Sequence, residues 1–294
     1  MRSIRDLEIA GKRILVRGDF DVDDGDNPRA DSIREMVTFL REKGAAAIRI
    51  IGHTETKYDL AGQLKGEFPD AEFFAGLRLD PREKENSEEY ARELAAGWDV
   101  YINEAFATSH RKHTSIVALP QVMKADGKQA GIGLRFEKEL MKLTEVWNKT
   151  GKRILVIGGV KIDDKQKFAE DMKDKFAEVL KGGLLPGVDK RDDGMDISDA
   201  AIERYKQVIA TAEVILAAGV MGKYEDPNCQ KGTKEVLTAI AESPAYKVAG
   251  GGDIEMAIST FGLTEKFDWI SVGGGAMLVY LGTGTLAGLE AVEG

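Results

Sequence analysis

The chain has 294 residues, 43% hydrophobic and 31% charged, with a formal net charge of −9. That balance excludes a disordered chain, and the negative charge argues against a nucleic-acid-binding body. No apolar run approaches the roughly 20 residues of a membrane helix, so no membrane association is expected. The charged start MRSIRDLEIAGKR has no signal-peptide core, and Cys229 is the only cysteine. A cytoplasmic protein without disulfides is therefore expected.

In chain order, Arg13 to Arg17 is a β-prone run after the Gly11-Lys12 turn. Ile33, Met36, Val37 and Leu40 fall at helical spacing and predict a helix over 32–43, stopped by Gly44. Strand 46–51 ends at Gly52-His53, helix 86–96 has Ser87 as its N-cap, and strand 99–103 leads to a polar loop over 104–113. A long helix is predicted over 136–148, followed by strand 153–157, where the domain boundary is placed. Beyond it lie helices near 197–212, 233–242, 253–261 and 276–281, alternating with strands 214–217, 246–249 and 269–272. Such alternation implies parallel sheets with helices on both faces.

Three apolar strands run into glycines and then a helix: ILVIGG at 154–159, KVAGGGD at 247–253 and ISVGGGA at 270–276. Glycine lets a ligand approach the backbone, and the helix that follows offers unpaired N–H groups and a positive dipole end. One such loop is equally a plain βα turn, but three in one domain favour a nucleotide or phosphate site. None fits GxGxxG or a Walker loop. Asp253 follows the second loop in its helix's first turn, where it reads as a Mg²⁺ holder or as an ordinary helix-start acid. Lys161 and Lys165 follow the first loop and could neutralise a phosphate chain, or be surface lysines.

In the first half, Arg17, His53, Arg78 and Arg111 end or follow strands, and His110 and His113 flank Arg111. Arginine's planar fork suits phosphate and carboxylate, although each residue alone reads equally as a solvated charge. No metal-ligand spacing and no marked nucleophile motif is present.

These motifs carry a family resemblance. VRGDFDV at 16–22 resembles the VRxDFNVP signature of phosphoglycerate kinases. The segment 75–115, with DVYINEAFATSHRKHTS, is similar to that family's DVYVNDAFGTAHRAH region. GGVKIDDK, GVMGKYE with KGT at 231–233, VAGGGD and SVGGGA resemble its remaining motifs, in family order.

The resemblance implies two doubly wound, Rossmann-like α/β domains joined by a hinge helix. They would comprise a 3-phosphoglycerate domain over 1–135, an interdomain helix over 136–149 and a nucleotide domain over 150–281. A tail over 282–294 would pack back on the first domain. It implies a monomer that transfers a phosphoryl group between 1,3-bisphosphoglycerate and ADP, with Mg²⁺ and ATP or ADP as cofactors.

By resemblance, Asp19 takes the place of the substrate-binding aspartate, and His53, Arg78 and Arg111 belong to the basic substrate patch. Either Arg29 or Arg34 would contact the transferred phosphoryl group. Asn27-Pro28 as a helix start favours Arg29. Lys161 and Lys165 match the lysines near the nucleotide phosphates, and Glu225 the acid at the ribose. Asp253 matches the Mg-nucleotide aspartate, beside loop glycines Gly159, Gly251, Gly252 and Gly274.

The chain departs from the family pattern at several places. Asp21 stands for asparagine in the substrate site. The HLGRP loop becomes His53-Thr54-Glu55-Thr56-Lys57 and loses its arginine, while Ala218 and Ile254 replace polar residues. Pieces are missing between His53 and Arg78 and between Lys165 and Glu225. These changes raise two alternatives: a kinase for a different acid, and a nucleotide-binding homologue without turnover.

Overall fold

The structure, a computed structural model, describes residues 2–160 and 162–294. The chain divides into two compact units, residues 1–140 with 285–294, and residues 141–284.

Unit 1 runs β1 (Arg13–Arg17), α1 (Pro28–Glu42), β2 (Ala47–Ile51), α2 (Leu60–Glu67), β3 (Glu72–Phe74), α3 (Glu88–Ala95), β4 (Val100–Asn103), α4 (Ala118–Ala125) and β5 (Gln129–Ile132). Helix α5 (Leu134–Asn148) starts in unit 1 and ends in unit 2. The sheet order is β3-β2-β1-β4-β5, and every pair is parallel. Alternate strand residues Ile14, Val16, Ile48, Ile50, Val100 and Ile102 share one core with Ile33, Met36, Val37 and Leu40 of α1. Each such burial is worth roughly 1.5–3 kcal/mol, which fixes the register. Arg17, one position after Val16, therefore points to the opposite face.

Unit 2 runs β6 (Arg153–Ile157), α6 (Ile162–Asp171), β7 (Glu178–Lys181), α7 (Asp199–Ile209), β8 (Val214–Ala218), α8 (Lys231–Glu242), β9 (Tyr246–Gly250), α9 (Gly252–Thr260), β10 (Trp269–Ser271) and α10 (Gly274–Thr283). Its sheet order is β10-β9-β8-β6-β7, again all parallel. The last helix, α11 (Ala287–Glu293), packs on β5 and α4 of unit 1. There Gly288 N–H donates to the Ser109 carbonyl at 2.8 Å. Both units are thus parallel α/β sheets, as the alternating pattern predicts. Among the described residues no single helix is long and apolar enough to cross a membrane.

The differences from the sequence expectations are local. Helix α1 starts four residues before 32, at the Asn27-Pro28 start also read from the sequence, because the Asn27 side chain accepts from Arg29 N–H at 3.0 Å and Pro28 opens the helix. That first turn is largely polar, so apolar spacing does not reveal it. The expected polar loop over 104–113 is largely packed: Glu104, Ala105, Phe106 and Ser109 are buried. The Phe106 ring meets Phe136 edge-on at 5.4 Å between centroids.

Candidate functional site

In open parallel sheets, ligands bind at the carboxyl ends of strands, where the strand order reverses. In unit 1 that point lies between β1 and β4, and in unit 2 between β6 and β8.

At the end of β1 the buried Arg17 donates through Nε to Ser115 Oγ at 2.9 Å and through Nη1 to the Gly18 carbonyl. Ser115 in turn donates to the buried Glu83 carboxylate from Oγ at 2.6 Å and from N at 3.0 Å. Burial raises the proton affinity of Glu83, while Ser115 and the positive charges of Arg17 and Arg78 oppose that rise. Arg17 is therefore internally bonded, a correction to its reading as a candidate anion binder.

Asp19 follows at the strand end. Its Oδ1 accepts from Asp21 N–H at 3.2 Å, and its Oδ2 lies 3.5 Å from Arg29 Nη1 without making a hydrogen bond. Arg29, from the first turn of α1, also donates to the Asp21 carbonyl at 2.8 Å. Arg34 faces elsewhere and grips Glu67 of α2 at 2.8 and 3.0 Å.

His53 follows β2, and Arg78 sits in the 3₁₀ turn Leu77–Leu79 after β3. An isolated antiparallel bridge between His53 and Gly76 holds the two segments together. Glu55 forms an ion pair with Arg78 and lies 3.4 Å from His53 Nε2. Burial and then the charge of Arg78 lower the proton affinity of His53. His113 is pushed down to about 4 by burial, then by Arg78, Arg111, Arg17 and Lys84. The His113 imidazole thus stands in the field of four cations, with Arg78 also acting on His53. Arg111 itself is exposed.

Like Glu83, a second buried acid escapes the sequence reading. Glu104, after β4, accepts at Oε1 from Ser32 Oγ of α1 at 2.6 Å and from Arg135 N–H of α5 at 2.9 Å, while its Oε2 has no partner. Burial pushes its carboxyl up to about 8.

In unit 2 the strand ends are made of backbone. Strand β6 runs into Gly158-Gly159, and Lys165 Nζ donates to the Gly158 carbonyl. Lys161 lies outside the described residues. A Cβ on Gly159 would stand 2.9 Å from Lys165 Nζ and 3.7 Å from Asp253 Oδ2, so cation, acid and bare backbone meet at one point. Strand β7 ends in Gly182-Gly183, a fourth glycine turn. Gly183 N–H donates to the Met221 carbonyl at 2.7 Å, and Leu184 N–H to the Gly159 carbonyl at 2.9 Å.

The KGT and GVMG motifs are joined by a hydroxyl. Thr233 Oγ1, buried in the first turn of α8, accepts from Met221 N–H at 3.1 Å and Gly222 N–H at 3.2 Å. Strands β9 and β10 end in the triple glycines. A Cβ on Gly274 would fall 2.6 Å from Gly251 Cα, so these loops touch through backbone alone. Neither α9 nor α10 has a side-chain cap, so first-turn N–H groups of both helices lack that partner. Asp253 sits in the first turn of α9, and it and the exposed Glu225 both raise the proton affinity of Tyr224 after burial does. Ile254 is buried in the core of unit 2, and Ala218 closes β8.

Among the described residues no group of three His, Cys, Asp or Glu side chains could hold a metal alone. Asp253 could hold Mg²⁺ only together with phosphate oxygens and water. That is the usual way this ion binds, so the donor set fits.

Two parallel α/β units, one with cationic strand ends and one with glycine-built strand ends, make up the chain. The phosphoglycerate kinase family model matches residues 73–188 and 185–283. The chain belongs to the phosphoglycerate kinase family. It is 28% identical to the phosphoglycerate kinase of Bdellovibrio bacteriovorus over 391 aligned positions, which cover 99% of this chain and 96% of the relative. Since the chain has 294 residues, that alignment passes over internal gaps. The fold is similar to that of phosphoglycerate kinase from Pyrococcus horikoshii, with a TM-score of 0.83 and 23% identity over 100% of this chain and 98% of that one. The enzyme from Coxiella burnetii gives a TM-score of 0.82 at 20% identity, over 99% and 98% of the two chains.

Proposed function

We propose that the chain catalyses reversible phosphoryl transfer between 1,3-bisphosphoglycerate and ADP, giving 3-phosphoglycerate and ATP, the phosphoglycerate kinase step of glycolysis. The observation that carries this reading is the Gly159 corner, where Lys165 and Asp253 meet a backbone without side chains, in a chain whose other unit gathers cations at its strand ends.

Phosphoryl transfer depends on positioning and charge neutralisation more than on covalent chemistry. Arg78, Arg111 and His53 bind the phosphate and carboxylate of the acid, and Asp19 its hydroxyl. Asp21 lies beside them. Arg29, held against Asp19 and Asp21, stabilises charge on the transferred phosphoryl group. Lys161, Lys165 and the N–H groups of Gly159, Gly251, Gly252 and Gly274 bind the nucleotide phosphates, and Glu225 the ribose. Mg²⁺, held by Asp253 and the phosphates, neutralises phosphate charge when bound.

On this reading 1–135 is the acid domain and 150–281 the nucleotide domain, with 282–294 as the tail. The helix at 136–149 acts as a hinge whose closure excludes water. The protein works as a cytoplasmic monomer.

A coupled assay with 3-phosphoglycerate and ATP tests the proposal. Turnover that falls at least a hundredfold in Lys165→Ala is expected. Two departures give the alternatives their footing: the Glu55 carboxylate on Arg78 and the burial of Ile254. Turnover with another phosphorylated acid, or MgADP binding with no turnover on any acid, would replace the proposal.

A further inference from the structure

Glu55 is an acid in a basic pocket, and its two ends behave differently. Its backbone is fixed: Glu55 N–H donates to Asp21 Oδ1 at 2.9 Å. The neighbouring Thr56 is tied down as well, donating from Oγ1 to the Val22 carbonyl at 2.6 Å. Its side chain is 65% exposed, yet the carboxylate reaches inward to Arg78 Nη1 and to within 3.4 Å of His53 Nε2. The two partners are only 13% exposed at the side chain. Each also keeps a buried atom with no hydrogen-bond partner, Arg78 Nε and His53 Nδ1. The pair therefore has binding capacity that Glu55 does not use.

A carboxylate resting on an arginine and a histidine is the chemistry expected of an incoming acid. Here it is supplied by the protein, tethered at a high effective concentration. We propose that Glu55 is a built-in competitor for the acid substrate. It occupies the Arg78–His53 anion site in the resting protein and swings into solvent when a more highly charged ligand arrives. Its fixed backbone keeps it near, and its exposed side chain gives it a way out.

Residue 55 thereby sets specificity. A phosphate dianion outcompetes a tethered monocarboxylate on the same cations, whereas a neutral ligand cannot. The inference rests on the kinase reading for the identity of the acid, but the masking of the anion site is independent of it.

The test compares the 294-residue chain with its Glu55→Gln and Glu55→Ala variants. Inorganic phosphate and 3-phosphoglycerate are titrated by calorimetry while the His53 ring resonances are followed by NMR, and KM and kcat are measured. The expected result is that both variants bind both anions roughly fivefold tighter, as loss of one exposed ion pair allows. KM for the acid should fall by the same factor with kcat within about twofold, and the His53 signals should move in the ligand-free variants. Unchanged or weaker anion binding in both variants overturns the proposal, as does failure of phosphate to perturb His53 in any of the three proteins. If phosphate binding tightens but no protein turns over 3-phosphoglycerate, the masking stands and the kinase reading falls.

Discussion

The two units share the same parallel architecture but build their strand ends in opposite ways. In unit 1 the strand ends carry side chains: Arg17 is bonded to Ser115, Asp19 lies beside Arg29, His53 and Arg78 share Glu55, and Glu104 is held by Ser32. In unit 2 the strand ends carry almost none. Gly158, Gly183, Gly219, Gly251 and Gly274 let loops pack backbone to backbone, and uncapped helix starts supply the donors. A side-chain site can be retuned one charge at a time, as Asp21 and Glu55 show. A backbone site leaves less room for such adjustment, because a Cβ added at Gly158, Gly183, Gly219 or Gly274 would run into a neighbouring loop's backbone. The sequence departures fit this division. The acidic substitutions fall in unit 1, whereas Ala218 and Ile254 in unit 2 are absorbed into strand and core.

The contrast can be broken most sharply at Arg29. Arg29→Ala should lower kcat by about a hundredfold to a thousandfold with little change in nucleotide affinity, as loss of one transition-state donor does. Steady-state kinetics together with MgADP calorimetry would show it, and an equal loss of nucleotide binding would erase the distinction between the units.

Next in size is Gly219→Ala. Gly219 has φ +125°, and its Cβ would overlap the Gly158 carbonyl and Lys165 Nζ. Denaturant unfolding of unit 2 should show a loss of about 3 kcal/mol, combining strain and overpacking.

Glu104 probes how unit 1 handles buried charge. Its carboxyl, held at about 8 by burial, keeps its proton in the folded state where the unfolded chain has lost it. The stabilisation is complete below about pH 4.5 and is lost as pH rises to about 8. Stability should therefore fall across that window by on the order of 4 kcal/mol. Glu104→Gln keeps the acceptor for Ser32 and Arg135 and should flatten this slope in melting curves taken from pH 5 to pH 8. The smallest effect is expected from Arg34→Ala, which breaks a partly exposed pair with Glu67 and should cost no more than about 1 kcal/mol, with kcat unchanged.

The buried strands were legible because their composition is nearly all apolar: ILV in β1 and β6, and VILAA in β8. Three of the four edge strands were not, whereas the edge strand β10 was read at 269–272. EFF in β3 and EVLK in β7 are short and half polar, and QAGI in β5 is glycine-interrupted, so none carries a periodic signal. With β7 unread, the Gly182-Gly183 turn that follows it passes as an ordinary loop. Helix α6 is the helix expected after the first glycine loop, although its charged run IDDKQK left its bounds unread. Motif residues such as Asp19, Arg78 and Asp253 could be singled out because they sit in local patterns. Glu83 and Glu104 could not, since what makes them unusual is burial among residues 31 to 72 positions away in sequence, Ser115 for Glu83 and Arg135 and Ser32 for Glu104. Choosing between Arg29 and Arg34 likewise required knowing that Glu67 of α2 takes Arg34.

The docking of α11 on β5 and α4 gives the chain an order of assembly. Unit 2 is continuous over 141–284, whereas unit 1 needs residues 285–294 to cover its last strand. During synthesis the second unit has all its residues outside the ribosome before the first one does. Until the final segment emerges, the face of β5 and α4 stays bare. Unit 1, although made first, is finished last and is the half more dependent on protection while the chain is being translated.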